Sequence, residues 1–272
     1  MGDVFKKERS AQIALALFVF FTIWWLTLRF IGVADESNQN QLFAAVYGVV
    51  ALLGGIWGLS ISGKWGGIHS ILGKSLLFFT LGLFFQEIGQ LSYSFYIYYL
   101  KSPLPYPSIG DLFFYGTIPL YIYAVVLLAQ ASGVHISLRS LSSKLQALVI
   151  PAVMLLLSYV VFLKGYQFDW TNSLKVFLDF VVPFGQAIYI SLALLTFTLS
   201  RGILGGIMKT KVLFIVLALV AQYLADWTFL FQANREIWYA GGINDYMYLC
   251  AYFLMTVGLL QLKTVYSELK ER

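Results

Sequence analysis

The sequence predicts an all-α polytopic membrane protein, eight transmembrane helices arranged as two four-helix repeats in parallel orientation. Three observations carry this reading. Of the 272 residues, 60% are hydrophobic and 18% aromatic, while only 11% are charged; mean hydropathy is +0.78, and a soluble domain carries about twice that charge. Eight apolar stretches reach the roughly 20 residues that a helix needs to cross about 30 Å of hydrocarbon. Arg29, Lys101, Lys164, Lys175 and Arg235 fall on one side of this alternation, and the other 13 of the 18 basic residues fall on the opposite side. Basic residues concentrate on the cytoplasmic face, so both termini are expected there, with the chain multi-pass in the plasma (inner) membrane.

Residues 1–10 form a short cytoplasmic N-terminus. The following apolar run, 11–32, exceeds a signal-peptide core and lacks a small-residue cleavage site, so it reads as a spanning helix. Further spans are expected at 42–62, 72–98 and 109–131, completing a first membrane unit over 11–131. A cytoplasmic linker, 132–144, leads to spans at 145–164, 175–200, 210–232 and 244–267. These make up a second unit over 145–267, and 268–272 form the tail. Gly54 and Gly58 in the second span have the GxxxG spacing that lets another helix approach closely, here most simply within the chain. Pro119 and Pro183 interrupt the fourth and sixth spans. Trp24, Trp25, Trp170, Trp227 and Trp238 fall near the non-cytoplasmic ends, as interfacial anchors do.

The repeat rests on two echoes. Ile109-Gly110-Asp111-Leu112-Phe113-Phe114-Tyr115 returns as Ile243-Asn244-Asp245-Tyr246-Met247-Tyr248-Leu249, and Gln86-Glu87-Ile88-Gly89-Gln90 returns as Gln222-Tyr223-Leu224-Ala225-Asp226. Four spans per unit is an even number, so both units enter the membrane in the same sense.

The stretch before the fourth span explains how that helix starts. Pro105 and Pro107 extend the loop, Ser108 is an N-cap, and Asp111 stands three residues on, where a capping-box side chain reaches back to the cap amide. Asn244 and Asp245 are expected to do the same for the last helix. Pro107-Ser108, Asp111, Tyr115 and Pro119-Leu120 also form a pattern that resembles the P-S-x-A-D-x-x-Y-L-x-x-Y-P-L signature. That signature marks the multi-pass N-terminal membrane sensor regions of bacterial GGDEF diguanylate cyclases and related signalling proteins. Gly110 and Phe114 stand where alanine and tyrosine are usual. The resemblance covers about 45 residues and implies a sensory or receptor module. Only the cytoplasmic end of the last helix and the tail, Lys263 to Arg272, remain, so the output domain is expected on a separate cytoplasmic partner.

Polar side chains inside spans cost about 2.5–3.5 kcal/mol each when ionisable, which makes them candidate functional groups. Gln86, Glu87 and Gln90 share a face of the third span, and Gln222 and Asp226 repeat the arrangement in the seventh. At about 1.5 Å per residue, Glu87 and Asp226 lie roughly 20 Å from the basic face, near the depth of Asp179, Asp111, Asp245 and Arg29. Two readings follow: Arg29 pairs with Glu87 or Asp226 and the layer merely fixes the bundle, or the layer lines an outward-facing cavity for a small molecule, a cation or a lipid head group.

Other classes find little support. The net charge of +5 is explained by membrane topology, with no nucleic-acid partner implied. The single Cys250 permits no disulfide framework. His69 and His135 lie in or beside cytoplasmic loops and cannot be paired ligands of a mid-membrane haem. Residues Arg201 to Gly206 lack the lysine of a phosphate loop. No metal-site or hydrolase motif points to an enzyme, a metal or a cofactor. The expected function is thus a sensory, receptor-like membrane module; a small-solute or ion transporter is the alternative, and a structural scaffold the third reading.

Overall fold

The computed structural model describes residues 2–102, 105, 107–131, 141–160, 170–199, 207–233, 235 and 237–270. His135, Lys164, the Arg201 to Gly206 loop and Arg272 lie outside them. All regular structure among the described residues is helical: α1 (Gly2–Lys7), α2 (Arg9–Ile31), α3 (Asn38–Val46), α4 (Val49–Lys64), α5 (Ile71–Ser94), α6 (Ile109–Ala131), α7 (Leu141–Ser158), α8 (Ser173–Leu199), α9 (Ile207–Ala233) and α10 (Ile243–Lys270). Seven segments are long and apolar enough to cross a bilayer, with α3 and α4 counting as one. The fifth expected span, 145–164, corresponds to α7, whose apolar stretch Lys144–Leu157 covers about 21 Å at 1.5 Å per residue, and residues 161–164 of that span lie outside the described residues.

Six helical segments close a ring in the order α4, α5, α6, α8, α9, α10, with α10 returning to α4. Outside it, α2 packs on α10 and α4, and α7 packs on α8. The 78% buried window of α10 against 22% for α2 makes α10 the central post and α2 a lipid-facing flank. Large apolar side chains on α2 accordingly point outward, among them Phe20, Ile23 and Phe30. The GxxxG pair works inside the chain. A Cβ on Gly54 would meet Leu83 of α5 and the Thr256 side chain of α10, and one on Gly58 would meet Thr80 and Leu259. Close approach of α4 to both neighbours depends on those two glycines.

The second span is broken where the sequence gives one continuous run. Between α3 and α4 the chain turns at Tyr47 and Gly48, and the Glu87 carboxyl occupies the place a Cβ on Gly48 would take. A glycine at a helix break is a recognised kink, and here a side chain from another helix fills the notch. Cap chemistry fixes further ends: Ser37 Oγ accepts from the Asn40 N–H at 3.2 Å and Ser70 Oγ from the Gly73 N–H at 2.8 Å, as N-caps do.

Alternation of the helices brings the end of α2, the start of α3, the end of α5, the starts of α6, α8 and α10 and the end of α9 together. This is termed the chamber end, and the opposite one, with Lys64, Lys74 and Lys263, the basic end. Lys263 at that end binds Glu8, tying α10 to the residue between α1 and α2.

Candidate functional site

Arg29 stands in the last turn of α2 and spans the rim of the chamber end. Its Nη2 donates to Asn40 Oδ1 at 2.6 Å and to the Gly241 carbonyl at 3.2 Å. Its Nη1 donates to the Tyr239 hydroxyl at 2.5 Å and lies 3.7 Å from Asp35 Oδ1. The guanidinium also faces the Trp25 and Tyr239 rings. Burial pushes the Tyr239 hydroxyl above its ordinary pKa; Arg29 opposes the shift and Asp35 adds to it. The expected pairing of Arg29 with Glu87 or Asp226 is therefore corrected: α2 is peripheral, so its last-turn cation reaches the loops that cross the rim instead of the interior. Asp35 is largely exposed, and an exposed pair contributes little. Asp35→Asn is expected to leave the melting temperature within error in detergent, whereas Arg29→Met, which strips Asn40 and Gly241 of a charged donor, lowers it measurably.

Two carboxyls each tie a helix start to a backbone N–H and to a tyrosine hydroxyl. Asp111 Oδ2 accepts from the Ser108 N–H at 2.6 Å and the Ser108 hydroxyl at 2.7 Å, while Ser108 Oγ accepts from the Asp111 N–H at 3.3 Å. This is a reciprocal capping box. Its Oδ1 accepts from the Tyr93 hydroxyl at 2.5 Å. Asp245 Oδ2 accepts from the Gly241 N–H at 2.5 Å, and its Oδ1 from the Tyr47 hydroxyl at 3.2 Å. Asn244 does not cap. Its Nδ2 donates to the Ala225 carbonyl of α9 at 2.7 Å, because that side chain points at the neighbouring helix and not along its own axis.

Between these two helix starts lies a chamber of about 50 Å³, room for a few water-sized groups. Polar side chains reach it from every wall: Gln90 (α5), Asp111 (α6), Gln186 (α8), Asp226 (α9), and Asn244 and Asp245 (α10). Tyr93, Phe114, Tyr115, Phe229, Trp238 and Tyr248 supply aromatic surface. A vestibule of about 1140 Å³ adjoins it, sharing Gln41, Tyr93, Tyr98 and Trp238 and adding Asp35, Glu36, Asp179, Lys101 and Lys175.

Deeper in, the polar layer turns into a tyrosine floor. Gln90 accepts from the Tyr47 hydroxyl at 2.9 Å and donates to the Ala44 carbonyl. One turn further, Gln86 accepts from the Tyr252 hydroxyl at 3.1 Å and faces Thr117 Oγ1 at 3.4 Å. Tyr47, Tyr121, Tyr189 and Tyr252 are almost completely buried and pack against one another, Tyr47 on Tyr252 and Tyr121 on Tyr189. Asp226 Oδ1 accepts from the Tyr248 hydroxyl at 2.7 Å and from Gln222 Nε2 at 3.1 Å.

Of the residues singled out in the sequence, Gln90, Asp111, Asp226, Asn244 and Asp245 meet in the chamber and Asp179 lines the vestibule. Gln86, Glu87 and Gln222 lie behind the chamber wall, Ser108 serves the cap, and Arg29 lies on the rim. The sequence reading missed Gln186, the one amide of α8, three residues after Pro183, and the mid-span tyrosines that partner the acids. Trp25 and Trp238, read as lipid anchors, turn inward: Trp25 Nε1 donates to the Gly241 carbonyl at 3.1 Å, and Trp238 lines the chamber.

No family model, curated protein or solved structure matches the chain. The functional reading therefore rests on this chamber.

Proposed function

We propose that the protein is a membrane receptor or sensor that captures a small solute from the non-cytoplasmic side and signals through a separate cytoplasmic partner. One observation carries the proposal: the polar chamber adjoins a wide vestibule at one end of the bundle, and beyond Gln90 the interior holds four buried tyrosines in two packed pairs. Such a site takes up a ligand from the vestibule, and the amides behind it, Gln90 and Gln86, are engaged by Tyr47 and Tyr252. The uneven distribution of Lys and Arg orients the vestibule outward and both termini toward the cytoplasm of the plasma membrane.

In this proposal α7 is the fifth of eight spans, and the chain is two parallel four-helix units. Three features support the duplication. The ring contacts pair off, α4 on α10 with α8 on α6, and α5 on α6 with α9 on α10. The unit-opening helices α2 and α7 both flank the ring. Asp111 and Asp245 use their two oxygens alike, and a Cβ at Gly110 would lie 3.1 Å from the Gly89 carbonyl, where Asn244 bonds the corresponding Ala225 carbonyl.

Ala240, which lines both chamber and vestibule, provides the test. In an Ala240→Cys, Cys250→Ser background, an impermeant thiol reagent is expected to label intact cells. Filling the chamber in this way should change deuterium exchange over residues 263–270 at the basic end. Labelling only after permeabilisation overturns the orientation, and unchanged exchange overturns the receptor.

A transporter is the second reading, favoured by Glu87. Its Oε2 is buried without a hydrogen-bond partner, behind Gln90. Solute flux in liposomes that falls on Glu87→Gln would establish it over the receptor.

A further inference from the structure

We infer that the chamber's ligand is a small organic ammonium ion; this rests on reading the chamber as a binding site. Two deeply buried amides, Gln186 at 3% and Asn244 at 1% exposure, line the chamber, and Gln186 Oε1 and Asn244 Oδ1 have no hydrogen-bond partner. The orientation of Asn244 is fixed, because its Nδ2 is committed to the Ala225 carbonyl. Its free atom is thus an acceptor that requires a donor.

Charge points the same way. Asp111, Asp226 and Asp245 line the chamber, and among the described residues no lysine, arginine or histidine does. Among the described residues the donors that reach these carboxyls are neutral: tyrosine and serine hydroxyls, a glutamine amide and backbone N–H groups. Acceptors and acids therefore exceed donors and cations, and a ligand bringing N–H donors or positive charge restores the balance.

The form of the cation follows from the walls. The three acids come from three helices, and among the described residues no three His, Cys, Asp or Glu side chains converge as metal ligands. A divalent ion demands such convergence. Aromatic faces instead cover much of the surface, and they attract alkylated ammonium groups, which are weakly hydrated. At about 50 Å³ the chamber accepts a head of a few heavy atoms, with the vestibule for its substituent. Trp238 Nε1, buried without a partner where the two spaces meet, is a donor for an oxygen on that substituent.

Calorimetry on the full chain in lipid nanodiscs, titrated with choline, tetramethylammonium, potassium, acetate and glycerol, tests this. Choline and tetramethylammonium are expected to bind saturably. Asp226→Asn should weaken them roughly tenfold or more, Gln186→Leu should weaken them less, and an Ala240→Trp plug should abolish binding, with each variant's melting curve reporting that it is folded. Saturable binding of acetate, glycerol or potassium that the plug removes, with the ammonium ions inert, overturns the inference while leaving the chamber reading intact. Ammonium binding unaffected by the plug and by Gln186→Leu places it elsewhere and also overturns the inference. No binding by any probe, with Ala240→Cys still labelled from outside, overturns it as well.

Discussion

Asp111→Ala is expected to lower the melting temperature of the detergent-purified protein by roughly 5–10 °C, on a scale of about 2–4 °C per kcal/mol. The carboxyl serves three donors at once. Two belong to Ser108, so its loss removes a helix cap, costing about 1 kcal/mol. The third is the Tyr93 hydroxyl, whose burial without an acceptor adds about 1–3 kcal/mol. Asp111→Asn retains one acceptor and should fall between. A melting curve unchanged by Asp111→Ala, with ligand capture lost, would show that the residue acts on the solute and not on the fold.

Gly241→Val is expected to be more damaging still, abolishing folded protein in membranes. Gly241 has φ +81°, in the left-handed region that β-branched residues avoid. A Cβ there would also lie 2.9 Å from the Asn40 carbonyl carbon and Cα, backbone atoms that cannot move aside. The strain costs about 1–3 kcal/mol before the collision is counted. The residue is a junction as well, receiving Arg29 and Trp25 on its carbonyl and giving its N–H to Asp245. Gly63→Ala is the control: its φ is ordinary and no neighbour lies within 4 Å, so folded yield should be unchanged. Comparable yields of Gly241→Val and Gly63→Ala by gel filtration would refute the junction.

What the sequence disclosed tracks how local the cause is. Helix α6 occupies the expected 109–131 because its start depends on Ser108 and Asp111 three residues apart, and its length on an unbroken apolar run. The layer of acids and amides was legible for a similar reason, since polar residues stand out in apolar helices. The break at Tyr47 and Gly48 was not legible, because its cause, Glu87, arrives from another helix. Arg29 was misread for want of one fact, that α2 lies outside the ring. Gln186 escaped because its importance lies in an unsatisfied atom, and satisfaction depends on what the other helices bring.

Tyr47 bridges α5 and α10, with its hydroxyl within reach of both Gln90 and Asp245. A phenol carries a single hydrogen, so at any instant it serves one of these acceptors and leaves the other. In the proposed receptor, a guest cation engaging Asp245 would compete for that oxygen and free the hydroxyl for Gln90. Occupancy at the post of the bundle would then become a tighter grip on its neighbour, a toggle of one proton's direction at the point where the second span is already bent.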